Sequence, residues 1–361
     1  MLPTNGDFIQ RHAEAVCSQH NVSVLHIISD KNTQKNRIDF QTINNVKTYI
    51  GYLKFTKNSL LKLLRYFKIY KDILRKIGAF DVIHVNTLFP FGLFAIHQKV
   101  IYKKPFIISE HWTGYQKPQS KQVSFIEKHI SKIIVKKASF VCPVSNNLKK
   151  SMCDFGLKGN YVLVPNVVDT SIFKPSKKKE NNFTIVHVSS LKDKHKNISG
   201  MIKVAKELET TIKNFTWYFI GGTSENYEKL ISDLQFKTAK IKFINHLSQK
   251  ELATHLQEAT ICVSFSNYET FGVVMPEAIA CGTYVTSTKT GILTELTPQD
   301  FFSIIPLKDK VSLAKEIIKQ HKNPTILYPE KMHLYIKKAF SQEVISDAFS
   351  NLYFKSLNNN S

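Results

Sequence analysis

The chain has 361 residues, 43% of them apolar, and its 50 basic and 28 acidic residues give a formal net charge of +22. This length exceeds what one hydrophobic core ordinarily organises, and the apolar content excludes a disordered chain, so two globular domains are expected. The positive charge predicts a phosphate-rich partner, which could be a nucleic acid, an anionic membrane or a nucleotide.

Several site classes are excluded by missing patterns. No His-x-x-x-His pair, Asp-x-Asp pair or Gly-x-x-x-x-Gly-Lys loop occurs in the sequence, so neither a metal-held diphosphate nor a P-loop is expected. The five cysteines are odd in number and form no Cys-x-x-Cys pair, which indicates reduced thiols and a cytoplasmic location. No apolar stretch approaches the roughly 20 residues that a membrane-spanning helix needs.

Short runs of β-branched and aromatic residues alternate with longer helical patterns, which is typical of parallel sheets wound with helices. The predicted strands of the first half are residues 22–29, 80–87, 105–110, 139–145 and 161–164. Those of the second half are residues 183–191, 215–222, 240–247, 259–266, 283–288 and 302–306. The polar segment 175–180 lies between the two sets, and we place the domains at residues 1–166 and 167–340.

Ligands of open parallel sheets bind beyond the carboxyl ends of the strands, which directs attention to the residues that follow each strand. The candidates selected by this rule are His111, Ser145, the turn 189–197, Gly221, Gly222 and residues 268–272. Two sheets whose carboxyl ends face one cleft would collect these residues in one place.

The segment 267–278 is the most informative of these candidates. A strand ends there in a glycine-containing turn and a helix begins, so free backbone N–H groups and the positive end of a helix dipole are available to a diphosphate. Glu269 lies before the turn and Glu277 lies about two turns into the helix, so the two carboxylates can serve opposite sides of a bound phosphate group. The alternative is an ordinary strand–helix unit in which Glu269 caps the helix.

This segment, continued by Cys281-Gly282, Thr290-Gly291-Ile292 and Glu295, resembles glycosyltransferase family 4. Further matching segments run along nearly the whole chain: residues 6–8, 109–112, 144–145, 164–169, 189–197 and 220–222. The resemblance implies an α/β protein of the GT-B fold, with two Rossmann-like doubly wound domains facing a central cleft. It also implies that the last helix, within residues 341–361, packs back on the first domain.

The resemblance assigns a role to each matching residue. Glu277 would bind the ribose hydroxyls, Glu269 a hydroxyl of the donor sugar, and the amides of residues 271–273 the distal phosphate. His111 would line the sugar subsite from the other domain, so His111 and Glu269 are the expected catalytic residues, acting by positioning. The expected donor-binding residues are Gly6, Ser190, Lys192, Lys196, Gly221, Thr270, Phe271, Gly272, Val273 and Glu277. No cofactor is expected, because the nucleotide sugar is a substrate, and the resemblance implies that no bound metal is needed.

The chain departs from the family pattern where an arginine usually helps to neutralise the diphosphate. Ser190 occupies that position, Lys196 matches the second cation of the pattern, and Lys192 or Lys194 could restore the missing charge. The alternative is a solvated basic turn. Loss of the arginine could mean weaker phosphate binding, a different donor preference or no activity.

A second departure lies at the amino terminus, where the chain opens directly with residues that resemble the family's first strand-to-helix loop. We therefore expect a further strand encoded upstream of Met1, comprising about ten or more residues.

Basic and apolar residues interleave over residues 53–77 and again over 121–137, which predicts amphipathic helices in the domain that receives the acceptor. Such helices suit the headgroup region of an anionic membrane, and the alternative is an ordinary surface helix with a lysine face. The expected location is cytoplasmic, with peripheral contact at the inner face of the cell membrane.

The predicted activity is retaining transfer of a sugar from a UDP- or GDP-sugar to a glycan or lipid-linked acceptor in cell-surface polysaccharide synthesis. One rival is a nucleotide-sugar epimerase on the same architecture, which would act on the donor alone. A second rival is a degenerate transferase fold that serves as a binding or scaffold protein. Nucleic-acid binding is disfavoured, because the basic residues spread over many segments and form no recognised module.

Overall fold

The computed structural model describes residues 7–176 and 183–358, which form an α/β fold with three β-sheets. The strands are β1 (Ser23–Asp30), β2 (Arg37–Ile43), β3 (Val46–Lys54), β4 (Ile83–Asn86), β5 (Phe106–Glu110), β6 (Phe140–Pro143), β7 (Thr184–Val188), β8 (Thr216–Ile220), β9 (Lys240–Ile244), β10 (Ile261–Ser264), β11 (Tyr284–Thr288) and β12 (Phe302–Ile305). The helices are α1 (Asp7–Cys17), α2 (Ser59–Ile77), α3 (Gly92–Tyr102), α4 (Phe125–Lys137), α5 (Asn146–Asp154), α6 (Asp193–Lys196), α7 (Ile198–Leu208), α8 (Glu228–Leu234), α9 (Gln249–Glu258), α10 (Val274–Ala280), α11 (Lys310–Lys322), α12 (Pro329–Phe340) and α13 (Gln342–Asn358).

The second half forms one six-stranded parallel sheet in the order β12-β11-β10-β7-β8-β9. All six strands predicted there are present. Every residue of β10 and β11 is buried, because α7 and α11 cover one face of the sheet and α9, α10 and α12 cover the other. The strand order reverses direction between β7 and β10, which is where doubly wound sheets bind ligands.

The first half contains two three-stranded sheets, β4-β5-β6 and β1-β3-β2. The hairpin of β2 and β3 was missed by the sequence prediction. Its signals were the alternation of residues 37–54 and the two-residue turn Asn44-Asn45, whose φ angles of 46° and 66° suit a tight hairpin. The hypothesis of a strand ahead of α1 stays a prediction.

Two predicted element boundaries in this half were wrong. The helix expected over residues 53–77 begins only at Ser59, because residues 53–54 complete β3 and the Asn58 side chain accepts the Leu61 N–H as the helix cap. The strand expected over residues 161–164 is reduced to a single bridge between Tyr161 and Val141.

The two halves pack against each other through a shared apolar core that includes Phe106 and Val186. The chain passes between them beside α12, where the Val168 N–H donates to the Phe340 carbonyl over 2.8 Å. Helix α13 then returns to the first half, and its Phe349 is buried with Ile107 of β5. The carboxyl ends of the β4-β5-β6 sheet and of the six-stranded sheet are thereby held at one interface.

Candidate active site

Residues 269–273, which follow β10 and are called the donor loop below, are contacted by two elements of the first half. The Gln116 Nε2 donates to the Glu269 carbonyl over 3.0 Å. The Ser145 Oγ, at the start of α5, donates to the Thr270 carbonyl over 2.6 Å. The donor loop therefore lies where the two halves meet.

The Glu269 carboxylate forms an ion pair with Lys196, and it accepts a hydrogen bond from the Ser266 Oγ at 2.9 Å. Its side chain is 15% exposed, so it remains accessible from the cleft. The alternative that Glu269 caps α10 does not hold, because its carboxylate is bound by these two side chains. Two of the predicted site residues, Lys196 and Glu269, are thus brought together by loops from adjacent strands.

The main chain of the donor loop presents a group of N–H donors ahead of α10. Within the described residues, the N–H groups of Phe271, Gly272 and Val273 donate to no protein acceptor. The Phe271 ring is buried edge-to-face against Phe340, which anchors the loop, and Gly272 turns the chain with a φ of 76°. Three such amides suit an anion.

Glu277 has an environment that the sequence reasoning did not anticipate. Its side chain is only 1% exposed, and its Oε1 accepts a hydrogen bond from the Arg11 Nη1 at 2.5 Å. Arg11 lies on α1 in the first half, and its guanidinium also contacts the Val167 carbonyl and the Phe173 ring. The available signal was a lone arginine among the residues that form the buried face of α1.

His111 follows β5 and is buried beside the Phe8 and His12 rings of α1. Burial, with the nearby His12 and His84 rings, lowers the pKa of His111 well below its ordinary value, so the ring is neutral near pH 7. Asn166 lies beside the ring, but neither ring nitrogen makes a well-formed hydrogen bond within the described residues. Buried polar atoms are normally paired, so this ring offers both a donor and an acceptor to a bound hydroxyl.

Glu110 organises the loop that carries His111. Its buried carboxylate accepts the N–H groups of Leu88, His111 and Trp112 over 2.8–2.9 Å. Burial raises the pKa of Glu110, while these hydrogen bonds oppose that shift. The sequence analysis gave Glu110 no role beyond the resemblance.

The remaining predicted donor residues lie along the loops after β7 and β8. Ser190 and Lys192 line a cavity of about 650 Å³ beside Gly222. Gly221 has a structural role, because its φ is 116° and a Cβ there would lie 2.1 Å from the Ser189 carbonyl oxygen. Lys192 and Lys194 are exposed, and neither forms an ion pair among the described side chains. Gly6 lies outside the described residues.

The described residues contain no group of three or more His, Cys, Asp or Glu side chains placed to hold a metal ion. The five cysteines, all within those residues, are unpaired. No helix in residues 7–176 or 183–358 has the length and apolar character of a membrane span.

Two Rossmann-like halves that meet at the donor loop define the fold as GT-B, that of a large class of glycosyltransferases. The model of Glycosyltransferase Family 4 matches residues 8–172, and that of Glycosyl transferases group 1 matches residues 168–342. The chain belongs to glycosyltransferase family 4.

Solved structures share the fold at low identity. A sucrose-phosphate synthase from Thermosynechococcus elongatus is 19% identical with a TM-score of 0.81, over 98% of the chain and 94% of that protein. Anabaena HepE in complex with UDP and glucose is 14% identical with a TM-score of 0.73, over 92% of the chain and all of HepE.

Curated relatives match over part of their length. A subunit of the phosphatidylinositol N-acetylglucosaminyltransferase of Arabidopsis thaliana is 24% identical over 200 residues, which cover 54% of the chain and 44% of the relative. A probable sucrose-phosphate synthase of Thermosipho melanesiensis is 30% identical over 184 residues, covering 44% of the chain and 41% of the relative. The chain thus spans less than half the length of these relatives.

Proposed function

We propose that the protein is a retaining, metal-independent glycosyltransferase that takes a sugar from a UDP- or GDP-sugar. The observation that carries the proposal is the group of available donor-loop amides beside the Lys196–Glu269 pair. Those amides and Lys196 would bind the diphosphate, while Glu269 and His111 would position the sugar. Anabaena HepE, which has this fold, has been crystallised in complex with UDP-glucose, and this supports a nucleotide-sugar donor.

The proposed reaction proceeds on one face of the sugar. The acceptor hydroxyl bonds to the anomeric carbon while the bond from that carbon to the diphosphate oxygen breaks, and the hydroxyl proton passes to the leaving oxygen. Positive charge that develops on the sugar ring is stabilised by the diphosphate, and the N–H groups of residues 271–273 stabilise the charge on the leaving group. Glu269 and His111 then act by orientation and not as nucleophiles.

A donor panel tests this proposal directly. The diphosphate of the correct nucleotide, present at 100 times its dissociation constant, should stabilise the protein by about 2.7 kcal/mol in thermal unfolding. The corresponding nucleoside, which lacks phosphate for the donor-loop amides, should stabilise it far less and serves as the matched control. Stabilisation by neither UDP nor GDP would contradict the proposed donor class.

The products distinguish the two rivals. Conversion of a nucleotide sugar to its epimer without any acceptor would favour the epimerase. Tight diphosphate binding with neither hydrolysis nor transfer across the panel would favour the scaffold protein, in which Ser190 has replaced the usual arginine.

We further propose that the acceptor is a glycan or lipid-linked molecule of cell-surface polysaccharide synthesis, reached at an anionic membrane surface. The first turns of α2 expose four leucines among the basic residues, with Leu60 68% exposed, and the start of α4 exposes Phe125 to 83%. The following turns of α2 bury Ile69 and Ile73 instead, so they anchor the helix to the domain. The Arabidopsis relative is named for phosphatidylinositol, which is also a membrane lipid.

Sedimentation with vesicles tests the membrane surface. Replacing Lys62, Arg65, Lys68 and Lys71 together by Gln should abolish sedimentation with anionic vesicles at low salt, because each basic residue contributes about 1 kcal/mol near such a surface. Diphosphate binding should be retained. The wild-type protein should be released as salt rises, since screening shortens the reach of surface charge to about 8 Å near physiological ionic strength.

A charge-matched control comes from α11 in the other half. Replacing Lys310, Lys315, Lys319 and Lys322 by Gln removes the same charge and should leave sedimentation close to that of the wild type. Equal losses in the two quadruple variants would show that net charge, and not α2, governs binding.

A further inference from the structure

The amino-terminal end of α5 binds a carboxylate from the opposite half of the protein. The Glu295 Oε2 accepts the Asn146 N–H at 2.8 Å and the Asn146 Nδ2 at 3.1 Å, while the Glu295 Oε1 accepts the Asn147 N–H at 2.8 Å. Both carboxylate oxygens are therefore engaged. The residues lie 149 and 148 positions apart in the sequence, so this contact joins the two halves.

Glu295 ends a 3₁₀ turn, Ile292–Glu295, that directly supports the donor loop. The Ile292 N–H donates to the Phe271 carbonyl over 2.8 Å. Gly291 packs so closely that a Cβ there would lie 2.6 Å from the same carbonyl oxygen. A displacement of this turn would therefore be transmitted to residues 271–273.

Ser145, which caps α5, completes the arrangement. Its Oγ accepts the Leu148 N–H at 3.1 Å and donates to the Thr270 carbonyl. The same helix end therefore holds the donor loop directly through Ser145 and indirectly through Glu295. Of these two contacts Glu295 carries the charge, and an anion is favoured at a helix amino terminus by the dipole and the free N–H groups.

We propose that Glu295 is a positioning residue, which binds the amino terminus of α5 across the cleft and holds the donor loop against the first half. The expected effect on kinetics rests on the proposed function. The contact between Glu295 and α5 itself does not depend on any substrate. When this contact is lost, the second half still carries the donor-loop amides and Lys196, so nucleotide binding persists. The sugar, however, is no longer presented to the half that contains His111.

Glu295→Gln tests the charge while keeping the shape of the side chain. The donor is UDP-glucose, or whichever nucleotide sugar the donor panel identifies. In this variant kcat should fall about fivefold, and the Kd for the nucleotide diphosphate should change by less than about twofold. Glu295→Ala should lower kcat further, to about a tenth or less. If Glu295 only stabilised the fold, the substitutions would lower the midpoint of thermal unfolding. They would not lower kcat selectively while the Kd stayed the same.

The matched control is Glu251→Gln. Glu251 accepts the Ser248 N–H over 2.8 Å at the start of α9, so it is also a carboxylate at a helix amino terminus. Glu251 and Ser248, however, both belong to the second half. This variant should keep wild-type kcat. An equal fall in kcat in Glu251→Gln and Glu295→Gln would overturn the proposal.

Distances between spin labels test the contact without turnover. One label is placed on the exposed Cys153 of α5 and one on a cysteine introduced at the exposed Lys315, in a Cys17→Ser background. The label separation in the absence of donor should lengthen or broaden in Glu295→Gln and remain unchanged in Glu251→Gln. An unchanged separation in Glu295→Gln would overturn the proposal. If the wild-type protein transfers no sugar, the proposed function is contradicted. The label separation alone then tests the role of Glu295.

Discussion

Arg11→Ala should lower the free energy of unfolding by about 3–5 kcal/mol, because it removes the guanidinium that is paired with a carboxylate buried at the interface of the two halves. Arg11 and Glu277 have side chains that are 6% and 1% exposed, so solvent does not replace the lost partner. Urea unfolding followed by circular dichroism measures the change. Arg75→Ala is the control: it pairs with Asp72 at a donor–acceptor distance of 2.9 Å, but the Arg75 side chain is 77% exposed, and its loss should cost less than about 1 kcal/mol.

A double substitution separates the stabilising role of the pair from its role in donor binding. Arg11→Met with Glu277→Leu replaces the ion pair by apolar side chains of similar volume and should restore most of the stability. It should not restore donor binding, because the proposed ribose contact of Glu277 loses charge-assisted hydrogen bonds worth about 1.5–3 kcal/mol, or roughly 10- to 150-fold in affinity. Wild-type affinity for the diphosphate in this double variant would contradict the proposed ribose contact.

The Glu269→Ala variant should lose activity mainly in kcat, by roughly 10- to 150-fold, with little change in the Kd for the nucleotide diphosphate. Glu269 is proposed to contact the sugar, which moves and gains charge in the transition state, whereas the product nucleotide carries no sugar for it to touch. Steady-state kinetics with the intact donor and isothermal titration with the diphosphate measure the two quantities.

Ser266→Ala provides the comparison for Glu269. It removes the 2.9 Å hydrogen bond to the Glu269 carboxylate but leaves the carboxylate and its Lys196 partner in place, so its loss in kcat should be much smaller. Equal losses of diphosphate affinity in the Glu269→Ala and Glu277→Ala variants would contradict the proposed division of roles. Wild-type turnover in both would remove this segment from the donor site.

Local patterns in the sequence were sufficient for the second half of the fold. Its six strands are short runs rich in β-branched and aromatic residues, separated by helical patterns, and each lies where the pattern predicts it. The strands of the first half were harder to predict, because the β2–β3 hairpin carries many exposed polar residues. The end of β3 also contains basic residues, and this basic pattern continues into α2. The boundary at Ser59 depends on the Asn58 cap and on the pairing of β3 with β1 and β2.

By itself the sequence determined the doubly wound architecture of the second half and the candidate donor segment, because both depend on short-range patterns. The resemblance of its motifs indicated the family. Only the tertiary structure decided which partners those residues have. Arg11 and Glu277 are 266 positions apart, and Glu295 and Asn146 are 149 apart. No periodicity relates such pairs, since they meet only when two separately wound sheets pack with their carboxyl ends at one interface. The burial of Glu277, the accessibility of Glu269 and the contact of Glu295 with α5 follow from that packing.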